Sequence, residues 1–233
     1  MKKIVIIPAY NEISNIDTTV KDILENAPGF DYVIINDCSQ DGTMRFCTEQ
    51  GMNIINLPVN LGIGGAVQTG YLYAWRNGYD VAVQFDGDGQ HDAKYLNAMA
   101  DFLEEQNADM VIGSRFITKE GFQSTGMRRF GIRYFSILIR LMTGKTVLDP
   151  TSGMRMVNRS VMKIYSEDYP VDYPEPESVV MILNMGRKVC EVPVIMRKRQ
   201  GGVSSISPGR SVYYMIKVTL AILMERLRKR RSY

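Results

Sequence analysis

Cysteine is scarce in this sequence. Cys38, Cys47 and Cys190 are the only three among 233 residues. None is paired at the close spacing of a zinc or redox site, and an odd number makes a disulfide framework a poor expectation. A reducing cytoplasm is therefore the expected compartment. Long apolar runs are missing too. Only Ile4-Val5-Ile6-Ile7 precedes Pro8, too short for a signal peptide. The uncharged stretch near the end, residues 218–224, falls far below the ~20 residues needed to cross a bilayer. Neither export nor a membrane span is expected. Strong charge of one sign is also absent: the formal net charge is +3, which argues against a nucleic-acid partner. No internal repeat or low-complexity linker interrupts the chain. Its 45% hydrophobic content excludes a disordered polypeptide and suffices for the core of one large domain.

The small net charge conceals an asymmetry. Residues 1–126 carry 8 Lys and Arg against 17 Asp and Glu, whereas residues 127–233 carry 20 against 8. An acidic half suits metal ions, and a basic half suits phosphates or an anionic membrane surface.

Short β-branched runs at 3–7, 32–35, 53–56, 81–85 and 110–112 predict buried strands. Amphipathic stretches at 14–26, 43–50, 66–77 and 93–106 predict the helices between them. The alternation predicts a parallel sheet covered by helices on both faces, with ligands beyond the carboxyl ends of the strands. After Gly113 the pattern changes. A basic amphipathic stretch covers 127–142, a turn falls at Asp149-Pro150, a helix is expected at 178–186, a strand at 188–196 and a basic amphipathic helix at 209–233.

The loops after the strands hold the unusual residues. In Asp86-Gly87-Asp88-Gly89-Gln90-His91, Asp86 and Asp88 lie two apart at a strand end and so point the same way in extended chain. They can share one Mg²⁺ or Mn²⁺, which prefer oxygen ligands, with Gln90 or His91 completing the set. An acidic turn capping the next helix is the plainer reading. His91 is the only histidine, and it is as readily a packed residue as a ligand. In Asn36-Asp37-Cys38-Ser39-Gln40-Asp41-Gly42-Thr43, Asp37 is expected to accept from a nucleobase or ribose, and Asp41 to cap the helix near Thr43. The glycine-rich stretch from Asn60 to Gly70 resembles a phosphate cradle, with Gly64 as the expected contact. It lacks both the dinucleotide fingerprint and the Gly-Lys-Ser/Thr ending of a Walker loop, so neither a Rossmann dehydrogenase nor a P-loop ATPase is expected.

Pro8-Ala9-Tyr10-Asn11-Glu12, the Asn36 to Thr43 loop, the glycine loop, Asp86 to His91, Gly113-Ser114-Arg115 and Asp149-Pro150-Thr151-Ser152-Gly153-Met154-Arg155 follow one another in a fixed order. This order resembles family 2 glycosyltransferases of the GT-A fold, most closely the branch of dolichol- and polyprenyl-phosphate sugar synthases, over residues 3–205. The resemblance implies a single catalytic domain over 1–208, with a nucleotide-sugar half at 1–115 and an acceptor-side half at 116–208, followed by the helix at 209–233. It implies that Pro8, Tyr10, Glu12 and Asp37 hold the nucleotide, that Asp86, Asp88 and Gln90 hold Mg²⁺ or Mn²⁺, and that Arg115 lies near the donor. Arg199, with Gly202 and Ser204, resembles a loop that clamps phosphate. Asn36 stands where the family usually has Asp, which leaves the base open between uracil and guanine.

The implied reaction is inverting transfer from a nucleotide-diphospho-sugar to a lipid-linked acceptor, most simply polyprenyl phosphate, in cell-envelope glycan synthesis. A phosphate acceptor needs no general base, whereas a saccharide hydroxyl does. Glu177, ahead of Glu175, is the expected base. The expected location is the cytoplasmic face of the membrane, peripherally attached, and a small membrane-protein partner would supply the spanning helices that some relatives carry. Two readings compete. The Asp-x-Asp pair is shared with haloacid-dehalogenase phosphatases, although their pattern follows the first strand and places a hydroxyl residue where Gln90 stands. A non-catalytic membrane-surface adaptor of glycosyltransferase-like fold is the other.

Overall fold

The apolar runs become strands of one seven-stranded sheet in the computed structural model, which describes residues 1–118, 120, 126–197 and 208–228. In chain order the elements are β1 (Lys3–Ala9), α1 (Ile16–Asn26), β2 (Phe30–Asn36), α2 (Thr43–Glu49), β3 (Ile54–Asn56), α3 (Gly62–Arg76) and β4 (Val81–Gln84). A short 3-10 turn (Ala93–Tyr95) then leads into α4 (Leu96–Glu105), followed by β5 (Met110–Ser114), α5 (Gly126–Thr143), β6 (Arg155–Asn158), α6 (Arg159–Glu167), α7 (Pro174–Asn184), β7 (Val189–Pro193) and α8 (Pro208–Leu227). The strand order is β3-β2-β1-β4-β6-β5-β7.

Alternate residues of each central strand feed opposite faces, as the two-residue side-chain period requires. Ile4, Ile6, Val33 and Ile35 join α3, α6 and α7 in one core. Val5, Ile7, Ile34 and Val83 join α1 and α4 in the other. Burial on both faces explains why these strands read as continuous apolar runs.

The sheet is mostly parallel, as the family resemblance implies, and one strand is the exception. β6 pairs antiparallel with both β4 and β5, with Gln84 opposite Arg155 and Ile112 opposite the same residue. Two further boundaries move. α7 begins at Pro174 rather than residue 178, because proline is well suited to a first helical turn where no N–H partner is needed. α3 begins at Gly62, so the glycine loop is itself the first turn of a helix. α8 packs against the body, burying Val218 and Ile222 in the core shared with α5 and α7.

α3 lies so close to β1 that a Cβ on Gly70 would sit 2.2 Å from Cγ2 of the fully buried Ile6. Gly70→Ala is therefore expected to cost about 1–3 kcal/mol of stability, the usual toll of overpacking a filled core. Urea denaturation measures it, and an unchanged midpoint would show that the helix can slide away.

Candidate active site

The loops at the carboxyl ends of β1, β2 and β4 are stitched together before any ligand is considered. The Asn11 side chain accepts the N–H groups of Gln40 (2.8 Å) and Asp41 (3.3 Å), and the Asn11 N–H donates to Ser39 Oγ. Asn11, Cys38 and Tyr173 hold left-handed backbone, with φ of 57°, 57° and 48°. Such strain persists where surrounding contacts enforce it, which is common at functional sites.

Pro8 is buried at the end of β1, Tyr10 is exposed beside it, and Glu12 accepts from the Asn15 side chain at 2.8 Å. Asp37 is buried, and its Oδ1 accepts the Leu61 N–H at 2.7 Å, so one carboxylate oxygen anchors the start of α3. Asp41 closes its own loop by accepting the Thr43 N–H at 2.9 Å.

Asp86 stands just past the end of β4 with its carboxylate braced from below. Gln84, fully buried, donates from Nε2 to Asp86 Oδ1 at 3.2 Å. His91 Nδ1 accepts the Asp86 N–H at 3.1 Å, and its ring packs edge-on against Phe85. That lone pair is committed, so His91 supports the turn. Gly153 lies against the Asp86 carboxylate: a Cβ there would come within 2.4 Å of Oδ2. Asp88 Oδ1 accepts the Gln90 N–H at 3.0 Å, and the Gln90 carbonyl accepts the Arg197 N–H at 2.8 Å. Arg197 is in turn paired with Asp22 and Asp92.

Among the described residues no group of three or more His, Cys, Asp and Glu is arranged to hold a metal. Two carboxylates and an amide oxygen are hard donors. Mg²⁺ bound through one or two carboxylates plus substrate phosphates needs no more than that. The donor set fits a cation shared with a phosphate ligand.

Three expected site residues have different surroundings from those anticipated. Gly64 does not border open space for a phosphate; a Cβ there would meet the carbonyl oxygens of Pro170 and Val171 at 2.2 and 2.3 Å, so its missing side chain admits this chain's own backbone. Arg115 is committed to the fully buried Asp149, with Nε to Oδ2 and Nη2 to Oδ1 both at 2.7 Å and Thr151 Oγ1 at 3.1 Å from Nη2. It tethers the 149–151 turn. Of the two acids in the first turn of α7, Glu175 is electrostatically coupled to Asp86. Burial pushes its carboxyl above the ordinary range and the Asp86 charge pushes the same way, while Arg155 opposes both. Glu175 and Glu177 are both half-buried, and a two-residue step on a helix sets them on different sides. Arg199, Gly202 and Ser204 lie outside the described residues.

Gln84, Gly153 and Arg155 are the residues that sequence reasoning passed over as parts of the site. A buried glutamine in an apolar strand, two residues before the acid pair, was the readable signal for the first. The other two sat inside a motif already noted.

The Arg115 and Asp149 pair yields a direct test. Breaking a buried ion pair by removing one charge typically costs about 3–5 kcal/mol, and Asp149→Asn is expected to fall in that range by chemical denaturation. A loss below about 1 kcal/mol, the level of a surface pair, would contradict the tether.

Comparison with known proteins agrees with this geometry. The profile of Glycosyl transferase family 2 matches residues 4–165. The chain is 28% identical to the undecaprenyl-phosphate mannosyltransferase of Micrococcus luteus, with 99% of each chain covered. It is 27% identical to the polyprenol monophosphomannose synthase of Mycolicibacterium smegmatis, covering 93% of this chain and 85% of that one. Among solved structures, it superposes on glucosyl-3-phosphoglycerate synthase from Mycobacterium tuberculosis, crystallised with Mn²⁺, uridine diphosphate and phosphoglyceric acid. The TM-score is 0.73 at 19% identity, over 99% of this chain and 80% of that one, which speaks to the shared fold. A strand-end acid pair, a helix-covered sheet and a profile match over most of the chain converge on one conclusion: the protein belongs to glycosyl transferase family 2.

Proposed function

We propose that this glycosyltransferase moves a sugar from a nucleotide-diphospho-sugar to polyprenyl phosphate, with inversion, at the inner face of the membrane in cell-envelope glycan synthesis. The observation that carries the reading is the Asp86 and Asp88 pair, braced by Gln84 and Gly153 at the ligand end of the sheet. The names of relatives matched nearly end to end support the acceptor: undecaprenyl phosphate, polyprenol phosphate and dolichyl phosphate.

The nucleotide would lie over Pro8, Tyr10, Glu12 and Asp37, and the family resemblance assigns Arg199 and Ser204 to a donor or acceptor phosphate. Asp86, Asp88 and Gln90 would hold Mg²⁺ or Mn²⁺, the cofactor present in the Mycobacterium tuberculosis fold relative; bound there, it would neutralise charge developing on the departing diphosphate. The rigid support beneath Asp86 fixes that carboxylate before substrate arrives. Attack from the face opposite the diphosphate inverts the anomeric centre. A phosphate acceptor is already anionic, so no side chain need take its proton. A saccharide hydroxyl would require one, with Glu175 and Glu177, both in the first turn of α7, as the candidates.

Asp88→Ala should leave the fold intact and lower transfer by about 10²-fold or more, the scale of losing one electrostatic stabiliser. The assay is transfer of labelled sugar from UDP- and GDP-sugars to polyprenyl phosphate. Wild-type rates in the variant would exclude the acid pair from the reaction.

Membrane attachment has its own observation. α5 and α8 pack side by side, joined by the Tyr134 hydroxyl and Thr219 Oγ1 at 3.1 Å, and both also present apolar side chains outward. Phe130, Ile137 and Leu141 on α5, with Ile216, Leu220 and Leu227 on α8, are exposed. Arg128, Arg129, Arg133 and Arg140 on α5 and Arg226 at the end of α8 are exposed among them. Among the described residues no helix is long and apolar enough to cross a membrane. The pattern fits helices lying in the interface of an anionic leaflet, where each basic residue contributes about 1 kcal/mol. Because α8 carries part of the core, truncating it would confound the test, and surface substitutions are the better probe. The protein is expected to sediment with anionic vesicles at low salt and to release as salt rises. Phe130→Asp with Leu220→Asp should weaken that association while keeping the fold. Equal sedimentation of the variant and wild type would remove this face from the account.

A further inference from the structure

Arg155, at the start of β6, is the largest fully buried side chain among the described residues. Its guanidinium donates from Nε to the Ser152 carbonyl at 2.6 Å, from Nη2 to the Pro150 carbonyl at 2.6 Å, and from Nη1 to Ser178 Oγ at 2.7 Å and to the Glu175 carbonyl. All four acceptors are uncharged oxygens. Burying a cation on such terms is costly, and apolar side chains would fill the same volume more favourably. Packing alone does not call for a guanidinium here.

Its partners show what it accomplishes. Pro150 and Ser152 belong to the turn that delivers Gly153 against the Asp86 carboxylate. Glu175 and Ser178 belong to the first turn of α7, whose Glu175 carboxyl feels both Asp86 and Arg155. Across the antiparallel pairing Arg155 stands opposite Gln84, the residue bonded to Asp86 Oδ1. One planar fork with five N–H donors thus serves four oxygens in two separate segments, which the three donors of a lysine, gathered at one atom, cannot do.

We propose that Arg155 is a positioning residue of the transfer reaction, fixing the 150–153 turn and the start of α7 on either side of Asp86. This rests on the reading of the protein as a metal-dependent glycosyltransferase. In that reaction Arg155 touches neither substrate nor metal. It sets where Gly153 and Glu175 stand, and through Gly153 how the Asp86 carboxylate is oriented.

The test uses the full chain with Arg155→Lys, Arg155→Met and Ser178→Ala, each checked for folding by circular dichroism and thermal melting. Two quantities are read below the melting temperature. One is kcat and donor KM for transfer to polyprenyl phosphate at saturating Mn²⁺. The other is Mn²⁺ affinity in the presence of UDP or GDP, from the electron paramagnetic resonance signal of free Mn²⁺. Arg155→Lys is expected to lose about 10²-fold in kcat with donor KM little changed, the signature of misplaced reacting groups. Its Mn²⁺ affinity should fall about 10-fold, the lower range for removing support from a metal ligand. Ser178→Ala, which keeps the guanidinium and removes one acceptor, should show a smaller loss in the same direction, and it decides the matter should both Arg155 variants fail to fold. A lower melting temperature with unchanged kcat and Mn²⁺ affinity would make Arg155 merely structural and overturn the proposal. Wild-type protein that neither transfers sugar nor binds Mn²⁺ with nucleotide would instead overturn the functional reading beneath it.

Discussion

The antiparallel insertion of β6 between β4 and β5 is the constraint on which the site depends. Because β6 runs against its neighbours, its first residue, Arg155, lies beside the last residue of β4 and near the end of β5. The turn before it, residues 149–153, therefore enters at the carboxyl ends of the parallel strands, where ligands bind in such sheets. A parallel strand in that position would send the turn to the opposite edge. From this one reversal follow the Arg115 and Asp149 pair, the contact of Gly153 with Asp86, and the reach of Arg155 to α7.

The electrostatics follow from what this turn brings together. Asp86, Asp88 and Glu175 belong to one end of the sheet, where the buried Arg155 guanidinium also acts on Glu175. Carboxylates grouped in this way favour a divalent cation, so metal and nucleotide are expected to arrive as a pair. Five basic residues of the second half, Arg128, Arg129, Arg133, Arg140 and Arg226, are exposed on α5 and α8. We propose that the acidic half serves the donor and the basic half a membrane surface, the division that the charge count along the chain suggests.

Much of this was legible in the sequence, for physical reasons. Strands buried on both faces write themselves as unbroken β-branched runs, so β1, β2, β4 and β5 were located to within a few residues. Asp86, Asp88 and Gln90 stand out in the sequence because three acceptors at alternate positions exceed what a turn requires. β6 was not legible, since only Met156 and Val157 separate Arg155 from Asn158, and its strand character comes from pairing with partners far along the chain. Gly64 misled because a glycine at a helix start looks the same whether it admits a phosphate or, as here, the Pro170 and Val171 backbone. Arg115 read as a donor contact because the sequence does not reveal that Asp149, 34 residues later, claims its guanidinium. Nearness to a helix start at residue 178 does not separate Glu177 from Glu175, because α7 starts at Pro174 and holds both acids in its first turn.

We propose that Asp86 and Asp88 bind a nucleotide through a shared cation, and thermal melting with nucleotide is the test. The protein should gain melting temperature with UDP or GDP only when Mn²⁺ is present, one of the two bases should give the larger gain, and EDTA should abolish it. Equal stabilisation by nucleotide with and without metal, or none with either base in saturating Mn²⁺, would contradict the account.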